Sequence, residues 1–247
     1  HVSNITGAIN DVPTITQRVH DAGALVCVDG VAFAPHRFVD VKGWGVDFYA
    51  FSLYKTFGPH IGLMYGKKEL LEAAKSQHHY FIPESATSYK MNPAGPQHEM
   101  IASLVGIADY IDAVAAEHLP DAPNDATERT RAVFDLFARH EEQLAQIFVD
   151  WAKSKDNVRV LGPLSADKDD RAPTFSFIAD GISSADICAK AGLDQVAIRH
   201  GDFYARRLVE SAGIDPEDGV VRCSIAHYNT ADEVNRLVAA LDKAVSV

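Results

Sequence analysis

A lysine follows closely after an apolar, aromatic run of the sequence. Residues 48–53 have the length of a short buried strand, and Lys55 and the turn Gly58-Pro59 come immediately after them. Burial lowers the pKa of a lysine side chain and leaves more of the neutral, nucleophilic amine. This is the placement that a Schiff-base lysine needs. A loop lysine that extends its charge into solvent would have the same local sequence, so the lysine alone leaves both interpretations open.

An aspartate closes the preceding apolar run, at residues 24–28. Asp29 therefore stands at the carboxyl end of a strand, where ligands collect in open α/β sheets, or else it caps the following turn. If Asp29 and Lys55 lie at one edge of the same sheet, they could bind pyridoxal phosphate. This cofactor forms a Schiff base with a lysine and keeps its ring nitrogen protonated beside a carboxylate. Ser52, three residues before Lys55, is placed to donate a hydrogen bond to the cofactor phosphate.

Helices and strands that would position these residues alternate along the chain. Apolar periodicity and turn residues predict helices over 11–22, 66–76, 99–118, 126–153, 184–191, 204–212 and 231–245. Strands are predicted over 24–28, 47–51, 62–65, 158–161, 173–178, 196–198 and 220–225. The alternation predicts an α/β protein, with a mostly parallel sheet first and an antiparallel or mixed sheet in the second half.

The amino-acid composition argues against some classes of binding partner. The net charge of −11 argues against a nucleic-acid partner and against an anionic membrane surface, because both need clustered Lys and Arg. Three scattered cysteines, Cys27, Cys188 and Cys223, indicate neither a disulfide framework nor a zinc site and favour a cytoplasmic setting. All three are predicted to be packing residues. The chain opens without methionine and without a leader, as though it began in mid-domain.

Four segments, in order and in register, resemble the class V aminotransferase family and most of all its cysteine desulfurase-like branch. They are HVSNITG (1–7), VDG (28–30), DFYAFSLYKTFGP (47–59) and VRCSIAHYNT (221–230). The resemblance implies the type I pyridoxal-phosphate fold, with residues 1–120 as the C-terminal part of the cofactor-binding large domain. Residues 121–247 would form the small C-terminal α/β domain. The upstream part of the family fold, which holds a phosphate-binding turn and an aromatic residue stacked on the cofactor ring, is expected to be absent.

The resemblance also implies cofactor contacts, residue by residue. Lys55 matches the Schiff-base lysine, and Asp29 matches the aspartate that pairs with the pyridine nitrogen. Asn4 matches an asparagine near the ring hydroxyl. Ser52 matches a phosphate-binding serine, and Tyr54 occupies the place of a phosphate-binding histidine of the desulfurases.

Two arginines carry the implied substrate contacts. Arg222 matches the arginine that holds the substrate carboxylate, for which a guanidinium fork is well suited. Arg199 lies in the loop that closes over the substrate in this family. A few residues past that loop the desulfurases carry a nucleophilic cysteine, and Tyr204 falls about there instead. The glutamine three residues after the desulfurase aspartate is replaced by Ala32.

The sequence as a whole predicts a pyridoxal-phosphate-dependent transferase or lyase that acts at the Cα of an amino acid, without a persulfide-forming cysteine. One alternative is a catalytically incomplete fragment or non-enzymatic homologue, and another is a true cysteine desulfurase or lyase. A dinucleotide-binding domain is disfavoured because no glycine-rich turn follows the first strand. The resemblance further implies a homodimer, with the loop at 77–97 reaching into the partner's site and the family's phosphate-binding loop at 92–96.

Overall fold

A computed structural model describes residues 1–92 and 95–246 of the chain. The chain divides into two units. Unit 1 comprises His1 and Asp11–Val133, and unit 2 comprises Val2–Asn10 and Phe134–Val247. Helices and strands alternate in both units, which confirms the predicted α/β class. The proposed domain division after residue 120 stays a prediction.

Unit 1 is built on a three-stranded sheet. Its elements in chain order are α1 (Val12–Asp21), β1 (Cys27–Asp29), β2 (Phe48–Ser52), β3 (Gly62–Gly66), α2 (Lys68–Ala73), α3 (His98–Ala102) and α4 (Val105–His118). β1 pairs with β2 in parallel and β3 pairs with β2 antiparallel. Because β1 and β2 run the same way, their carboxyl ends lie at one edge of the sheet, with Asp29 opposite Ala50.

Two predicted elements of unit 1 are shorter than expected, for local reasons. β1 starts at Cys27 because the Val26 N–H donates to the buried carboxylate of Asp47 at 2.8 Å and does not enter the strand ladder. The single helix predicted over 99–118 is interrupted between α3 and α4. There the Ser103 hydroxyl donates to the Met100 carbonyl at 2.8 Å, a local bond of the kind that competes with helical pairing.

Unit 2 is a four-stranded antiparallel sheet with helices. A long helix, α5 (Ala126–Lys153), begins in unit 1 and ends in unit 2. The later elements are β4 (Val158–Leu161), β5 (Thr174–Ala179), α6 (Ser184–Leu193), β6 (Arg199–Gly201), α7 (Arg206–Ser211), β7 (Val220–Ser224) and α8 (Ala231–Val245). The strand order is β4-β5-β7-β6. The core includes Phe148, Phe175 and Phe177, each without solvent exposure, and Thr230 and Glu233 form a capping box at the start of α8.

The strand predicted over 196–198 is wrong. Gln195 has φ +59°, and the Val196 N–H donates back to the Ala191 carbonyl at 3.2 Å, so these residues close the end of α6. The strand that pairs with β7 is displaced to Arg199–Gly201. The displacement brings Arg199 directly opposite Arg222.

A buried arginine binds the segment Val2–Asn10 to the rest of unit 2. Arg171 is 1% exposed, and its guanidinium donates to the carbonyls of Thr174 at 2.6 Å, Thr6 at 3.2 Å and Pro163. Burial lowers the pKa of Arg171 to about 10. These bonds hold the backbone on which Asn4 stands. No described helix has both the length and the apolar character needed to cross a membrane.

Candidate active site

Lys55 closes a single 3₁₀ turn at the end of β2. The turn spans Leu53–Lys55, and the N–H groups of Thr56 and Gly58 both donate to the Leu53 carbonyl at 2.8 Å. Leu53 is buried and anchors the turn, whereas Lys55 is exposed. Of the two interpretations that the sequence left open for Lys55, the described chain has the side chain exposed to solvent. Its amine has no hydrogen-bond or ion-pair partner among the described residues, so it is accessible to a reagent from solvent.

Asp29 acts as a turn cap and still presents an oxygen to a ligand. Its Oδ1 accepts from the Val31 N–H at 2.8 Å, which fixes the carboxylate at the end of β1. No described residue donates to Oδ2. The turn needs glycine at position 30, because a Cβ there would lie 2.1–2.3 Å from the Tyr49 ring and hydroxyl.

An aromatic cluster, which no sequence pattern indicates, supports Asp29 from within unit 1. Tyr49 is fully buried, and burial, with a contribution from the charge of Asp29, raises the pKa of its hydroxyl. The His1 Nδ1 lies 3.1 Å from that hydroxyl, and the His1 ring stacks on Phe33 at 3.6 Å. Trp44 contacts the rings of His1, Phe33 and Tyr49 edge-on or tilted. The cluster makes the end of β1 a rigid support.

Two further predicted cofactor contacts lie next to Lys55. Ser52 is the last residue of β2 and is partly buried, with no hydroxyl partner among the described residues. Tyr54 is 47% exposed, and its ring stacks on His60 at 4.4 Å. An amine, a carboxylate and a hydroxyl thus stand at the carboxyl ends of two parallel strands. This donor set fits pyridoxal phosphate, which needs an amine for its aldehyde, an anion for its ring nitrogen and donors for its phosphate.

The predicted substrate contacts, together with Asn4, form a second cluster, within unit 2. The Asn4 Nδ2 donates to the Phe203 carbonyl at 2.8 Å, and the Arg222 Nη1 donates to the Asn4 carbonyl at 3.2 Å. The Phe203 ring covers one face of Arg222, with 3.8 Å from the guanidinium carbon to the ring centroid. Burial, and then the charge of Arg199, lower the pKa of Arg222. No sequence motif singles out Phe203.

The loop after β6 has an unusual backbone. Gly201 has φ +132°, and the non-glycine residues Phe203 and Tyr204 have φ +50° and +63°. Left-handed backbone at such residues costs free energy and is retained where the surroundings hold it. Here Asp202 accepts from the Tyr204 N–H at 3.0 Å. The Tyr204 side chain is fully exposed.

The cysteines occupy three different environments. Cys223 is 1% exposed, and burial raises the pKa of its thiol. Burial also raises the pKa of Cys188, to about 11. Both fit the packing role that the sequence predicted. Cys27 is exposed in β1, so its prediction as a packing residue is wrong, because no described element covers that side chain.

The segment 77–97 is mostly irregular and partly apolar on its surface. It contains one 3₁₀ turn, Thr87–Tyr89, and the side chains of Tyr80 and Phe81 are 99% and 68% exposed. Of the predicted phosphate loop at 92–96, Pro93 and Ala94 lie outside the described residues. No group of side chains suited to a metal ion occurs in residues 1–92 and 95–246.

Comparison with known proteins agrees with this geometry. A family model described as Aminotransferase class-V matches residues 1–237. The chain is 38% identical over 244 residues to the aminotransferase-like protein FGM3 of Gibberella zeae, covering 98% of this chain and 57% of that protein. It is 33% identical to the cysteine desulfurase-like protein ustD of Aspergillus flavus, covering 100% of this chain and 53% of that protein.

Solved structures show the same likeness in three dimensions. The cysteine desulfurase CsdA of Escherichia coli matches with a TM-score of 0.73 at 28% identity, over 98% of this chain and 57% of that one. A cysteine desulfurase of Thermococcus onnurineus NA1 matches with a TM-score of 0.78 at 23% identity, a likeness of fold alone. These matches confirm the predicted type I fold. The chain spans a little more than half the length of these relatives.

Proposed function

Because the chain belongs to the class V aminotransferase family, whose members depend on pyridoxal 5'-phosphate, we propose that the protein is an enzyme that uses this cofactor at the Cα of an amino acid. One observation carries the proposal. The Lys55 amine and the Asp29 carboxylate stand at the carboxyl ends of adjacent parallel strands, with Ser52 as the last residue of the strand that leads to Lys55. No described residue neutralises that amine.

Each residue of unit 1 has a proposed task. Lys55 holds the cofactor and, once displaced by the substrate amine, moves a proton at the substrate Cα. Asp29, oriented by the Val31 N–H, presents its free oxygen to the ring nitrogen. Ser52 and Tyr54 donate to the phosphate. Bound pyridoxal phosphate supplies an electron-poor ring that accepts the electron pair released at Cα.

The tasks of the unit 2 residues rest on the family resemblance. Asn4 retains a free side-chain oxygen for the ring hydroxyl, because its amide nitrogen is already bonded to the Phe203 carbonyl. Arg222 binds the substrate carboxylate, and Arg199 contributes from the neighbouring strand.

The proposed reaction is a transfer or a lyase reaction that needs no persulfide. Tyr204 stands where a desulfurase has its cysteine, and the raised thiol pKa values of Cys188 and Cys223 leave little thiolate at neutral pH. Transamination and elimination belong to these two classes, and racemisation at Cα is a further alternative. Desulfuration is a second candidate, favoured by the relatives that carry that name.

We also propose a homodimer in a reducing, cytoplasmic compartment. The exposed aromatic side chains of Tyr80 and Phe81 suit a protein interface, where aromatic residues are enriched. The amino-acid substrate is small, and neither nucleic acid nor a membrane is a partner. Sedimentation of wild-type protein and of a Tyr80→Ser, Phe81→Ser double variant tests this proposal, since a monomeric wild type would contradict it.

Covalent trapping tests the central proposal. The complete protein is mixed with pyridoxal phosphate, reduced with borohydride and digested. We expect the pyridoxyl group on the peptide that contains Lys55, and none there in Lys55→Ala. Lys75→Ala, an exposed lysine of the same unit, is the matched control and should label like wild type. A protein that stays colourless with added cofactor, or that labels equally on several lysines, would refute the proposal and favour a non-enzymatic homologue.

A further inference from the structure

Two arginines of unit 2 face each other without a counter-charge. Arg199 on β6 and Arg222 on β7 are cross-strand partners, so their side chains lie on the same face of the sheet. Like charges placed opposite one another destabilise a sheet. Neither guanidinium has a carboxylate within ion-pair distance among the described residues. The two positive charges repel each other and no described carboxylate balances them. The pair therefore points to an anionic ligand.

The acidic residues nearest in sequence are engaged elsewhere. Asp202 accepts from the Tyr204 N–H at 3.0 Å. Asp218 caps the start of α6, accepting from the N–H groups of Ser184 at 2.7 Å and Ala185 at 3.1 Å. Glu217 pairs with Arg206 at 3.0 Å. None of these carboxylates can turn to the arginine pair without breaking a bond that shapes its own loop.

Arg222 is prepared for one carboxylate. The Phe203 ring covers one face of its guanidinium, and the Asn4 carbonyl accepts from Nη1. These two contacts fix the plane of the group, while Nε and Nη2 have no partner among the described residues. A planar guanidinium held in this way can receive a single carboxylate through two parallel hydrogen bonds.

Arg199 then has no carboxylate to bind. It is exposed on an edge strand and has no hydrogen bond from its side chain to any described residue. One carboxylate on Arg222 leaves Arg199 with its charge uncompensated, whereas a ligand with two carboxylates satisfies both arginines. We propose that Arg222 and Arg199 bind the two carboxylates of an acidic amino acid, so that the substrate is of the aspartate or glutamate class. This inference rests on the proposed function for the identity of the site.

Ligand binding without turnover tests the inference independently of the cofactor. Succinate and butyrate have the same carbon chain and differ in one carboxylate, and their dissociation constants for the complete protein are measured by calorimetry. We expect succinate to bind at least about tenfold more tightly, as one charge-assisted contact would give. Arg199→Gln should abolish this difference and leave butyrate binding unchanged. Arg207→Gln, which changes an exposed arginine on α7 outside the pair, is the matched control and should keep the difference.

Kinetics then test the substrate class in the loaded enzyme. We expect a higher kcat/KM for L-aspartate or L-glutamate than for the neutral isosteres L-asparagine and L-glutamine, and a selective loss of that preference in Arg199→Gln. Equal binding of succinate and butyrate would overturn the inference. So would an equal loss for both ligands in Arg199→Gln, which would mean that the two arginines share one carboxylate. If Lys55 fails to label but succinate is still preferred, the proposed function fails and the anion site stands.

Discussion

The buried carboxylate of Asp47 should control the local stability of β1, which ends at Asp29, and of β2, which leads to the Lys55 turn. Asp47 is 2% exposed and precedes β2 directly. It accepts from the Val26 N–H at 2.8 Å and from the Lys67 ammonium at 2.7 Å, and the His20 Nε2 lies 2.8 Å away. Asp47 therefore links His20 in α1, Val26 just before β1 and Lys67 just after β3.

The magnitude follows from the pKa of this group. Burial alone would raise the pKa of Asp47, but the bonds from Lys67, Val26 and His20 outweigh burial and lower it from 3.8 to about 2. A tenfold change in proton affinity corresponds to about 1.4 kcal/mol, so the lowered pKa is worth roughly 2 kcal/mol of stability. Because the folded-state pKa is the lower one, this stability is fully present above about pH 4. It is lost as the pH falls from about 4 to about 2.

Asp47→Asn is the perturbation. An amide can still accept from the Val26 N–H, but it cannot balance the charge of Lys67. Lys67 and His20 are 28% and 32% exposed, so water compensates part of the loss. We expect the variant to lose about 2 kcal/mol of local unfolding free energy, rather than the roughly 3–5 kcal/mol lost when a fully buried ion pair is broken.

Hydrogen exchange is the suitable assay because it reports each unit separately. A loss of about 2 kcal/mol corresponds to roughly 30-fold faster exchange in peptides that contain β1 and β2. Peptides from β5 and β7 serve as the internal reference and should be unchanged. Asp109→Asn, an exposed carboxylate on α4, is the matched control. If Asp47→Asn accelerated β1 and β2 no more than Asp109→Asn does, Asp47 would not be the connection described above.

Two further predictions concern packing and thiols. Gly30→Ala should destabilise unit 1 by about 1–3 kcal/mol in a denaturant titration, because the new methyl group would overlap the buried Tyr49 side chain; an unchanged midpoint would contradict the close approach of Gly30 to Tyr49. A thiol reagent at neutral pH should modify Cys27 quickly and Cys188 and Cys223 only on unfolding, as mass spectrometry of the native protein would show. Rapid native labelling of Cys223 would contradict its burial.

Much of the fold follows from local patterns in the sequence. The period of apolar residues predicted α5 at Ala126–Lys153 and α8 at Ala231–Val245 with their observed bounds. The edge that holds Asp29 and Lys55 was also predictable, because parallel neighbouring strands must end at the same side of a sheet. In these cases the deciding interactions lie within a helix, or between elements that follow one another in sequence.

The errors arose where a local hydrogen bond, from a side chain or from the backbone, competes with the expected backbone pattern. Asp47 withdraws the Val26 N–H from β1, and the Ser103 hydroxyl interrupts the helix at 99–118. The backward bond of Val196 moves β6 to Arg199. Neither hydropathy nor propensity distinguishes these bonds from alternatives, because each depends on which polar group happens to be within reach once the chain has folded.

The contacts among Asn4, Phe203 and Arg222 needed the structure for a different reason. Asn4 and Arg222 are 218 residues apart, and their bond depends on the register of two segments that no local rule relates. This cluster bears directly on the proposed substrate contact. The Phe203 ring covers one face of Arg222 and so restricts how a carboxylate can approach the guanidinium, and the neighbouring Tyr204 side chain is exposed.

The loop after β6 bears on the choice that we propose among the candidate reactions. A desulfurase needs a thiolate that can reach the substrate sulfur, and the family resemblance implies that Tyr204 falls about where that thiolate would be. Cys223 lies on β7 next to Arg222, but its thiol is buried and its pKa is raised, so it cannot take over the task without local unfolding. Arg199, the first residue of β6, adds a second positive charge opposite Arg222. These residues are the basis on which we propose chemistry at Cα with an acidic substrate in preference to removal of sulfur.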